Sequence, residues 1–330
     1  MHKAKRERLF GFPAATVWAL VLALLSIGSN VRSPAMAADG IRKSHSASEN
    51  NVFGPVASGD WYPEKERELR RMVDSFLAEA RVEKLEGKII AVIAPHAGFR
   101  YSGQCAAFSF KPLMKEEFDK VIILAPSHYV GFRGVSILKA DYYKTPLGLI
   151  KVDVDICESL LKEKLIRTIS YAHTREHSLE NMLPFLQRTL TKFKLIPIIV
   201  GQLNDDDYEM LASSIRRYID ATTLIVVSSD FTHYGSIFHY LPFPLNKDTR
   251  QKIVELDGGA INRIVNVDFA GYQQYLAKTG ATICGRVPIG LLLKILPRDV
   301  KGKLVHYYMS GDSTGDYRIS VSYASIVFYY

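Results

Sequence analysis

The chain has 330 residues, of which 48% are hydrophobic and 23% are charged, a composition that allows a large core and excludes a disordered chain or a coiled coil. The net charge of +8 would suit nucleic acid or an anionic membrane. Three cysteines without a Cys-x-x-Cys pair exclude a disulfide framework and a zinc finger.

The first 37 residues have the three parts of a secretory signal peptide. Four basic residues within positions 3–8 precede an apolar run over 9–27, and residues 35–37 have the small-x-small pattern of a cleavage site. We therefore expect residues 1–37 to be a signal peptide and the protein to be exported, to a periplasmic or extracellular location. The alternative is a signal anchor, because the 9–27 run comes close to the roughly 20 residues that span a bilayer.

Cleavage would change what the net charge implies. Residues 1–37 hold five basic residues and one acidic residue, so their removal lowers the net charge from +8 to +4. We therefore predict no nucleic-acid partner, and membrane contact only through an uncleaved N-terminal segment. Residues 38–51 are polar and rich in Ser and Asn, which is typical of a linker. The remainder, 52–330, is predicted to be one domain.

Helical and strand patterns alternate after residue 52. Pro63 is predicted to open a helix whose apolar residues continue to residue 80 at a spacing of three and four. Short apolar, β-branched runs predict buried parallel strands at 89–94, 121–125, 196–200 and 224–227. Further helices are predicted at 153–165, 177–190 and 205–219, the last with Asn204 as N-cap, and a final strand at 319–330. The alternation predicts an α/β layer fold with a mostly parallel sheet.

Three of the predicted strands are followed by histidine or aspartate. His96 follows the strand at 89–94, His128 follows the strand at 121–125, and Asp230 and His233 follow the strand at 224–227. Ligands of open parallel sheets bind at the carboxyl ends of the strands. We therefore expect these four side chains to share one site.

Two histidines on a rigid sheet edge favour a metal ion, because imidazole is the commonest side-chain metal ligand. Cys284 is a candidate third ligand. Gly285 would let the backbone approach closely, and Pro288 could begin a helix whose N-terminus lowers the pKa of the thiol. Taken alone, Cys284 would be a small buried hydrophobic residue, as we interpret Cys105 and Cys157.

Glu176 and His177 begin the helix predicted at 177–190. They could support the metal ligands or shuttle a proton. Equally, they could form an ordinary polar helix start, where the helix dipole favours a glutamate. The residues alone leave both interpretations open.

Six motifs, in this order, resemble the Memo family (mediator of cell motility), whose bacterial members are often labelled AmmeMemoRadiSam system protein B. They lie at 53–63, 94–98 (APHAG), 125–128 (APSH), 176–180 (EHSLE), 228–233 (SSDFTH) and 282–286 (TICGR). The resemblance covers nearly the whole chain after residue 52. It implies a fold similar to the class III extradiol (LigB-type) dioxygenases: a single-domain α/β/α sandwich with an iron site at one edge of the sheet.

Carried over residue by residue, the resemblance implies that His96, His128 and Cys284 hold the metal. It also implies that Asp230 and His233 are active-site residues. His233 would act as acid–base group, and His177 could assist it in the same pocket. The dioxygenases use two histidines and a carboxylate, whereas a thiolate suits copper as well as iron. Extradiol ring cleavage therefore does not follow from the fold.

The sequence favours a metal-dependent redox protein that uses iron or copper, without deciding whether it is an enzyme. The alternative is a binding module that takes an aromatic or phosphorylated peptide ligand in the same pocket. In that case Arg100, Tyr101 and Arg286 could contact an anion. A hydrolase built on Ser127 or Ser229 ranks last, because the chain has no Gly-x-Ser-x-Gly elbow. No oligomeric state follows from the sequence.

Overall fold

Strands and helices alternate along the chain in the computed structural model, which describes residues 51–330. The strands are β1 (Val52–Phe53), β2 (Ile89–Ala94), β3 (Lys120–Pro126), β4 (Val135–Ser136), β5 (Tyr142–Thr145), β6 (Gly148–Lys151), β7 (Ile166–Arg167), β8 (Lys194–Val200), β9 (Thr223–Ser228), β10 (His233–Gly235), β11 (Lys301–Met309) and β12 (Ile319–Tyr329). The helices are α1 (Glu66–Glu79), α2 (Phe99–Phe110), α3 (Val154–Leu160), α4 (His177–Glu180), α5 (Leu183–Thr189), α6 (Asp205–Arg216), α7 (Thr249–Val265), α8 (Phe269–Thr279), α9 (Arg286–Ile295) and α10 (Ser310–Thr314). Short 3-10 helices lie at Lys111–Lys115, Ser170–Ala172 and Ser236–Phe238.

Four strands form the centre of the main sheet, in the order β2-β9-β3-β8, and all four are parallel. Nearly all of their side chains are buried, because elements pack on both faces of the sheet. These are the four runs that the sequence predicted as buried parallel strands. Their parallel direction brings the carboxyl ends of β2, β9 and β3 side by side.

Antiparallel strands extend the sheet on both sides. β12 pairs with β2, and both β10 and β11 pair with β12. On the other side, β4 is antiparallel to β8 and parallel to β7. Within residues 51–330 the main sheet thus has nine strands, and β1, β5 and β6 form a separate sheet of three.

Helices flank the main sheet, which confirms the predicted α/β sandwich. α2 packs against β2, β11 and β12, whereas α9 packs against β3 and β9. α6 begins at Asp205 after Asn204, as predicted, and the Asp207 carboxylate accepts a hydrogen bond from the Asn204 N–H. None of the helices in the described residues has the length and apolar character needed to cross a membrane.

All four predicted helices differ from the structure in their boundaries. The helix predicted at 153–165 ends at Leu160, and the helix predicted at 205–219 ends at Arg216. The first of the four begins at Glu66 rather than at Pro63, because Lys65 is still extended, with φ −82° and ψ 127°. The helix predicted at 177–190 is divided into α4 and α5. Pro184 explains this break, because it has no N–H to donate to the carbonyl four residues earlier.

The predicted signal peptide or anchor (1–37) lies outside the described residues, as does the predicted linker up to residue 50. Asn51, the last residue of that linker, is bound to the domain. Its N–H donates to the Asp141 carboxylate at 2.7 Å, and its side-chain amide donates to the Lys139 carbonyl at 2.6 Å.

One buried histidine makes the stability of the fold depend on pH. His173 is only 2% exposed, and its Nε2 lies 2.9 Å from the Ser136 hydroxyl. Burial lowers the pKa of His173 from 6.5 to about 4. Between these two values the unfolded chain binds a proton that the folded chain does not bind. Stability is therefore lost as the pH falls from 6.5 toward about 4.

Lowering the pH from about 7.5 to about 5 should reduce the free energy of unfolding by about 2 kcal/mol through His173 alone. His173→Gln removes the titrating ring and keeps an acceptor near the Ser136 hydroxyl. The variant should therefore lose about 2 kcal/mol less than the parent over this interval. Urea unfolding of metal-free protein at both pH values measures the difference. Equal losses in the two proteins would contradict the prediction.

Candidate metal centre

The ends of the central strands bring two histidines and a cysteine together. His96 follows β2, His128 follows β3, and Cys284 lies in the turn before α9. Their potential ligand atoms all lie within 4.8 Å of one another, and His96 Nε2 is 3.2 Å from Cys284 Sγ. The structure therefore assembles a group of side chains that could hold a metal ion.

Hydrogen bonds assign the proton of the buried His96 ring to Nδ1. The Ser228 hydroxyl donates to the Ser178 carbonyl at 2.7 Å, so its single hydrogen is already used. Ser228 Oγ must then accept from His96 Nδ1, which lies 2.6 Å away. The remaining ring nitrogen, Nε2, carries a lone pair and faces the Cys284 sulfur.

Glu176 gives His128 the same protonation pattern. Its carboxylate accepts from the His128 N–H at 2.7 Å, from His128 Nδ1 at 2.9 Å and from the Ser178 N–H at 3.1 Å. Burial alone would raise the pKa of Glu176, but the bonds from His128 hold that pKa below its ordinary value. An ionised carboxylate only accepts hydrogen bonds, so His128 Nδ1 donates and Nε2 stays open. Glu176 is thus both the N-cap of α4 and a support for His128.

The Cys284 sulfur lies in an environment that favours the thiol in the absence of a cation. The lowered pKa expected from a helix beginning at Pro288 is wrong, since the helix begins at Arg286 and burial raises the pKa of the Cys284 thiol well above its ordinary value. The nearby Asp230 carboxylate adds to the shift. The Asp230 N–H opposes this shift by donating to Cys284 Sγ at 3.1 Å. Since metals bind the thiolate, metal binding here would release a proton and would strengthen as the pH rises.

Asp230 organises the strand ends around this group. Its Oδ1 accepts from the backbone N–H groups of His96 at 2.8 Å and Ala97 at 3.2 Å. Its Oδ2 lies 3.9 Å from His96 Nε2. Burial raises the pKa of Asp230. Asp230 therefore contacts two of the three candidate ligands, and its predicted catalytic role stays a prediction.

His233 begins β10 and holds its ring in a defined orientation. Its Nδ1 lies 2.9 Å from the Phe231 carbonyl and 3.1 Å from the Thr282 carbonyl. Both carbonyls can only accept, so Nδ1 carries the proton and Nε2 has the lone pair. The ring is partly exposed, with the Phe238 ring edge-on to it at 5.1 Å. This tautomer suits a group that takes up a proton at Nε2.

His177 forms a wall of the site together with Trp61. The two rings stack at 3.5 Å with an angle of 8° between them. The same imidazole lies 4.9 Å from the His128 ring and 5.4 Å from the His96 ring. Burial lowers the pKa of His177 to about 3, and the neighbouring His128 contributes a smaller part of the shift. The ring is therefore neutral at neutral pH.

His128, Glu176 and His177 form a second group with ligand atoms within 4.8 Å of one another. Their geometry is less suitable for a metal. The His128 and His177 rings are stacked 4.9 Å apart at 17°, so their lone pairs lie in two nearly parallel planes and cannot both point at one ion between them. The group of His96, His128 and Cys284 is therefore the better candidate for a metal site.

Glu180 and the loop that carries Trp61 are contributions that the sequence did not reveal. The buried Glu180 carboxylate accepts from the N–H groups of Val56 at 2.6 Å and Ala57 at 3.0 Å, and from the Tyr62 hydroxyl. These bonds fix the loop that places Trp61 on His177. The motif at 176–180 contains Glu180, but nothing local indicates a partner more than 110 residues away.

Arg100, a predicted anion contact, lies at a different place. It lines a groove of about 380 Å³ together with Trp61, Glu64, Lys65 and other residues of the same region. None of His96, His128 and Cys284 lines that groove. The suggestion that Arg100 contacts a ligand at the metal group therefore has no support from this arrangement.

Comparison with known proteins gives consistent matches over the described domain. A family model described as "Memo-like protein" matches residues 54–327. The chain is similar to "Protein memo-1 homolog" of Caenorhabditis elegans, with 31% identity over 285 residues, 82% of this chain and 81% of that protein. It is also similar to "Protein MEMO1" of Homo sapiens, with 31% identity over 281 residues, 81% of this chain and 94% of that protein. A crystal structure of an uncharacterized Escherichia coli protein covers 73% of this chain and 99% of its own, at 12% identity and a TM-score of 0.43.

Proposed function

The chain belongs to the Memo-like family, and from this we propose that it is a metal-dependent redox protein with iron or copper on His96, His128 and Cys284. One observation carries the proposal. Both histidines donate their Nδ1–H to protein acceptors, and the Nε2 of His96 lies 3.2 Å from the Cys284 sulfur. Two imidazole lone pairs and a thiol thus share one small space.

The chemistry of this donor set fits a transition metal. Thiolate and imidazole ligands suit iron and copper, whereas magnesium and calcium prefer oxygen. The charge also fits, because the ionised, buried Glu176 has no Lys or Arg partner within residues 51–330. When bound, iron or copper would supply one-electron redox chemistry that the side chains cannot supply.

The protein groups around the metal have distinct proposed roles. His233 offers the lone pair on Nε2 as an acid–base group, and its Nδ1–H is fixed by two carbonyls. Trp61 and His177 form a flat wall that excludes water from one side of His128. Asp230 fixes the backbone of His96 and donates to the Cys284 sulfur. Together these contacts hold the ligands in place before a metal arrives.

Metal content of the purified protein tests this proposal. The parent protein should contain about one iron or copper ion per chain, and Cys284→Ala should lose it, because the remaining two imidazoles bind these metals more weakly. Cys105→Ala is the matched control. Its thiol is buried against Ser325 at 3.5 Å and does not belong to the group of candidate ligands, so this variant should keep the metal. A Cys284→Ala variant with the same metal content as the parent would contradict the proposal.

A second function is favoured by an exposed aromatic side chain next to His128 and His177. Tyr129 is 41% exposed, and the Arg175 guanidinium lies 5.5 Å from the centre of its ring. An exposed aromatic ring beside a cation suits an aromatic or phosphorylated ligand, as a binding module would require.

Affinity for phenyl phosphate that is lost in Tyr129→Ala and unchanged in Cys284→Ala would favour this function. Oxygen uptake with a panel of catechols, abolished by His233→Ala without loss of metal, would favour the redox function.

A further inference from the structure

Asp257 is a fully buried carboxylate for which the proposed chemistry gives no reason. It lies on α7 and has no Lys, Arg or His partner among the described residues. Its Oδ1 accepts from the Thr232 hydroxyl at 2.6 Å and from the Thr232 N–H at 3.2 Å. Its Oδ2 accepts from the Tyr307 hydroxyl at 2.7 Å and from the Ser322 hydroxyl. Burial raises the pKa of Asp257, and four hydrogen-bond partners offset the cost of burying its carboxyl group.

Two of these four donors belong to one residue, which directly precedes His233. The Thr232 carbonyl accepts from the Ser322 N–H at 3.0 Å, so every polar group of Thr232 is bonded. The Phe231 N–H donates to the Ser322 carbonyl at 2.8 Å. The Phe231 carbonyl is one of the two acceptors of His233 Nδ1–H. Asp257 therefore fixes the backbone that presents this acceptor.

We propose that Asp257 is a positioning residue for His233: through Thr232 it holds the Phe231 carbonyl in place, which keeps the His233 proton on Nδ1 and leaves Nε2 free to accept a proton. The inference rests on the proposed acid–base role of His233. Without Asp257, both donors of Thr232 lose their acceptor in a buried place, and the backbone of Phe231 and Thr232 must move to find another. The Thr282 hydroxyl still bonds to the N–H and carbonyl of His233, so the Phe231 carbonyl would shift relative to the His233 ring. A ring that no longer faces two fixed carbonyls can exchange its proton between the nitrogens.

Nuclear magnetic resonance of the His233 ring nitrogens tests this proposal directly, because the ¹⁵N shifts report which nitrogen carries the proton. In metal-free full-length protein, the parent should show the Nδ1–H form. Asp257→Leu, which removes all acceptors, should convert His233 mainly to the Nε2–H form. Asp257→Asn should stay close to the parent, because its remaining oxygen can still accept from Thr232, and the Ser322 and Tyr307 hydroxyls can rotate to accept from its amide. An unchanged His233 ring in Asp257→Leu would overturn the proposal.

A control separates positioning from general loss of stability. Ile264→Ala removes a buried side chain of α7 that packs in the main core rather than in the small cluster around Tyr234, so it should lower the melting temperature and keep the Nδ1–H form. If Asp257→Leu does not fold, Thr232→Val serves instead, because it keeps the branched shape and removes only the hydroxyl. This variant should show a mixture of the two His233 forms, and a ring identical to that of the parent would overturn the proposal.

The outcome is distinguishable from failure of the proposed function. The His233 tautomer is measured without metal, so it does not depend on metal binding. Metal content is measured separately on the same variants. If the parent protein binds no metal but Asp257→Leu still changes the His233 tautomer as expected, the metal proposal is refuted. Asp257 is then still the residue that positions His233.

Discussion

Replacing Gly285 with alanine is expected to weaken metal binding by about 10–100-fold and to lower the free energy of unfolding by about 1–3 kcal/mol. A Cβ at this position would lie 2.3 Å from the Ser229 Cβ and 2.7 Å from the Ser228 carbonyl oxygen. Neither atom is the end of a flexible side chain, so the backbone must move. The movement would displace Cys284, the preceding residue, and Ser228, which accepts from His96 Nδ1.

Gly258→Ala is the matched control for this substitution. Gly258 lies within α7, and a Cβ built there meets no atom within 4 Å. Alanine is the better helix former, so this variant should be more stable by up to about 1 kcal/mol and should bind metal like the parent. Equilibrium metal titration and urea unfolding measure both effects. Parent-like metal affinity in Gly285→Ala would mean that the close contact between Gly285 and Ser229 does not position Cys284.

Replacing Glu176 with glutamine is expected to weaken metal binding by about 10–100-fold, the usual loss when the hydrogen-bond partner of a ligating histidine is changed. The carboxylate accepts through both oxygens from three donors, two of which belong to His128. Glutamine has one acceptor oxygen, and its NH₂ group would point at one of these donors. His128 would then turn or exchange its tautomer, and its Nε2 would no longer be presented to the metal.

Glu180→Gln provides the comparison. Glu180 is equally buried and lies one turn further along the same segment, but it accepts from Val56, Ala57 and Tyr62 rather than from a candidate ligand. We expect this variant to lose stability by about 1–3 kcal/mol and to keep its metal affinity within about threefold of the parent. Equal loss of affinity in both variants would show that burial of charge matters here, rather than the orientation of His128.

Two of the candidate ligands could be predicted from the sequence, because each follows a parallel strand of the central sheet. Apolar runs that end in His96 and His128 can be recognised locally, and the rule that ligands bind at carboxyl strand ends places them together. Cys284 is different, since it follows no central strand. Its proximity to His96 depends on the turn before α9. The neighbouring Gly285 and Pro288 made Cys284 a candidate, and the resemblance to the Memo family then implied that it is a ligand.

The supporting contacts could not be predicted, because each joins residues distant in sequence. Ser228 fixes the His96 proton only because Ser178, 50 residues away, takes the hydroxyl hydrogen. Asp257 contacts Thr232 from a helix that has no recognisable motif. The break between α4 and α5 had a local signal in Pro184, but the apolar periodicity continued through it. Tertiary contacts of this kind decide tautomers and ring orientations, which residue types alone do not encode.

The buried carboxylates around the site share one physical feature. Glu176, Glu180 and Asp230 accept from backbone N–H groups, and Asp257 accepts from one N–H and three hydroxyls. None forms an ion pair with Lys or Arg within the part of the chain that the structure describes. Each therefore fixes a loop or a histidine without introducing a positive charge beside the candidate ligands. A metal on the candidate ligands would add a cation next to Glu176 and Asp230, which bond to His128 and His96.

X-ray absorption at the metal edge tests the central claim most directly, because it counts the sulfur and nitrogen neighbours of the bound ion. For the parent protein loaded with iron or copper, we predict one sulfur neighbour at about 2.2–2.3 Å together with imidazole nitrogens at about 2.0–2.1 Å, similar to other thiolate and imidazole sites. In Cys284→Ser the sulfur shell should disappear. A parent spectrum with only nitrogen and oxygen neighbours, or a sulfur shell that persists in Cys284→Ser, would contradict the assignment of Cys284 as a ligand.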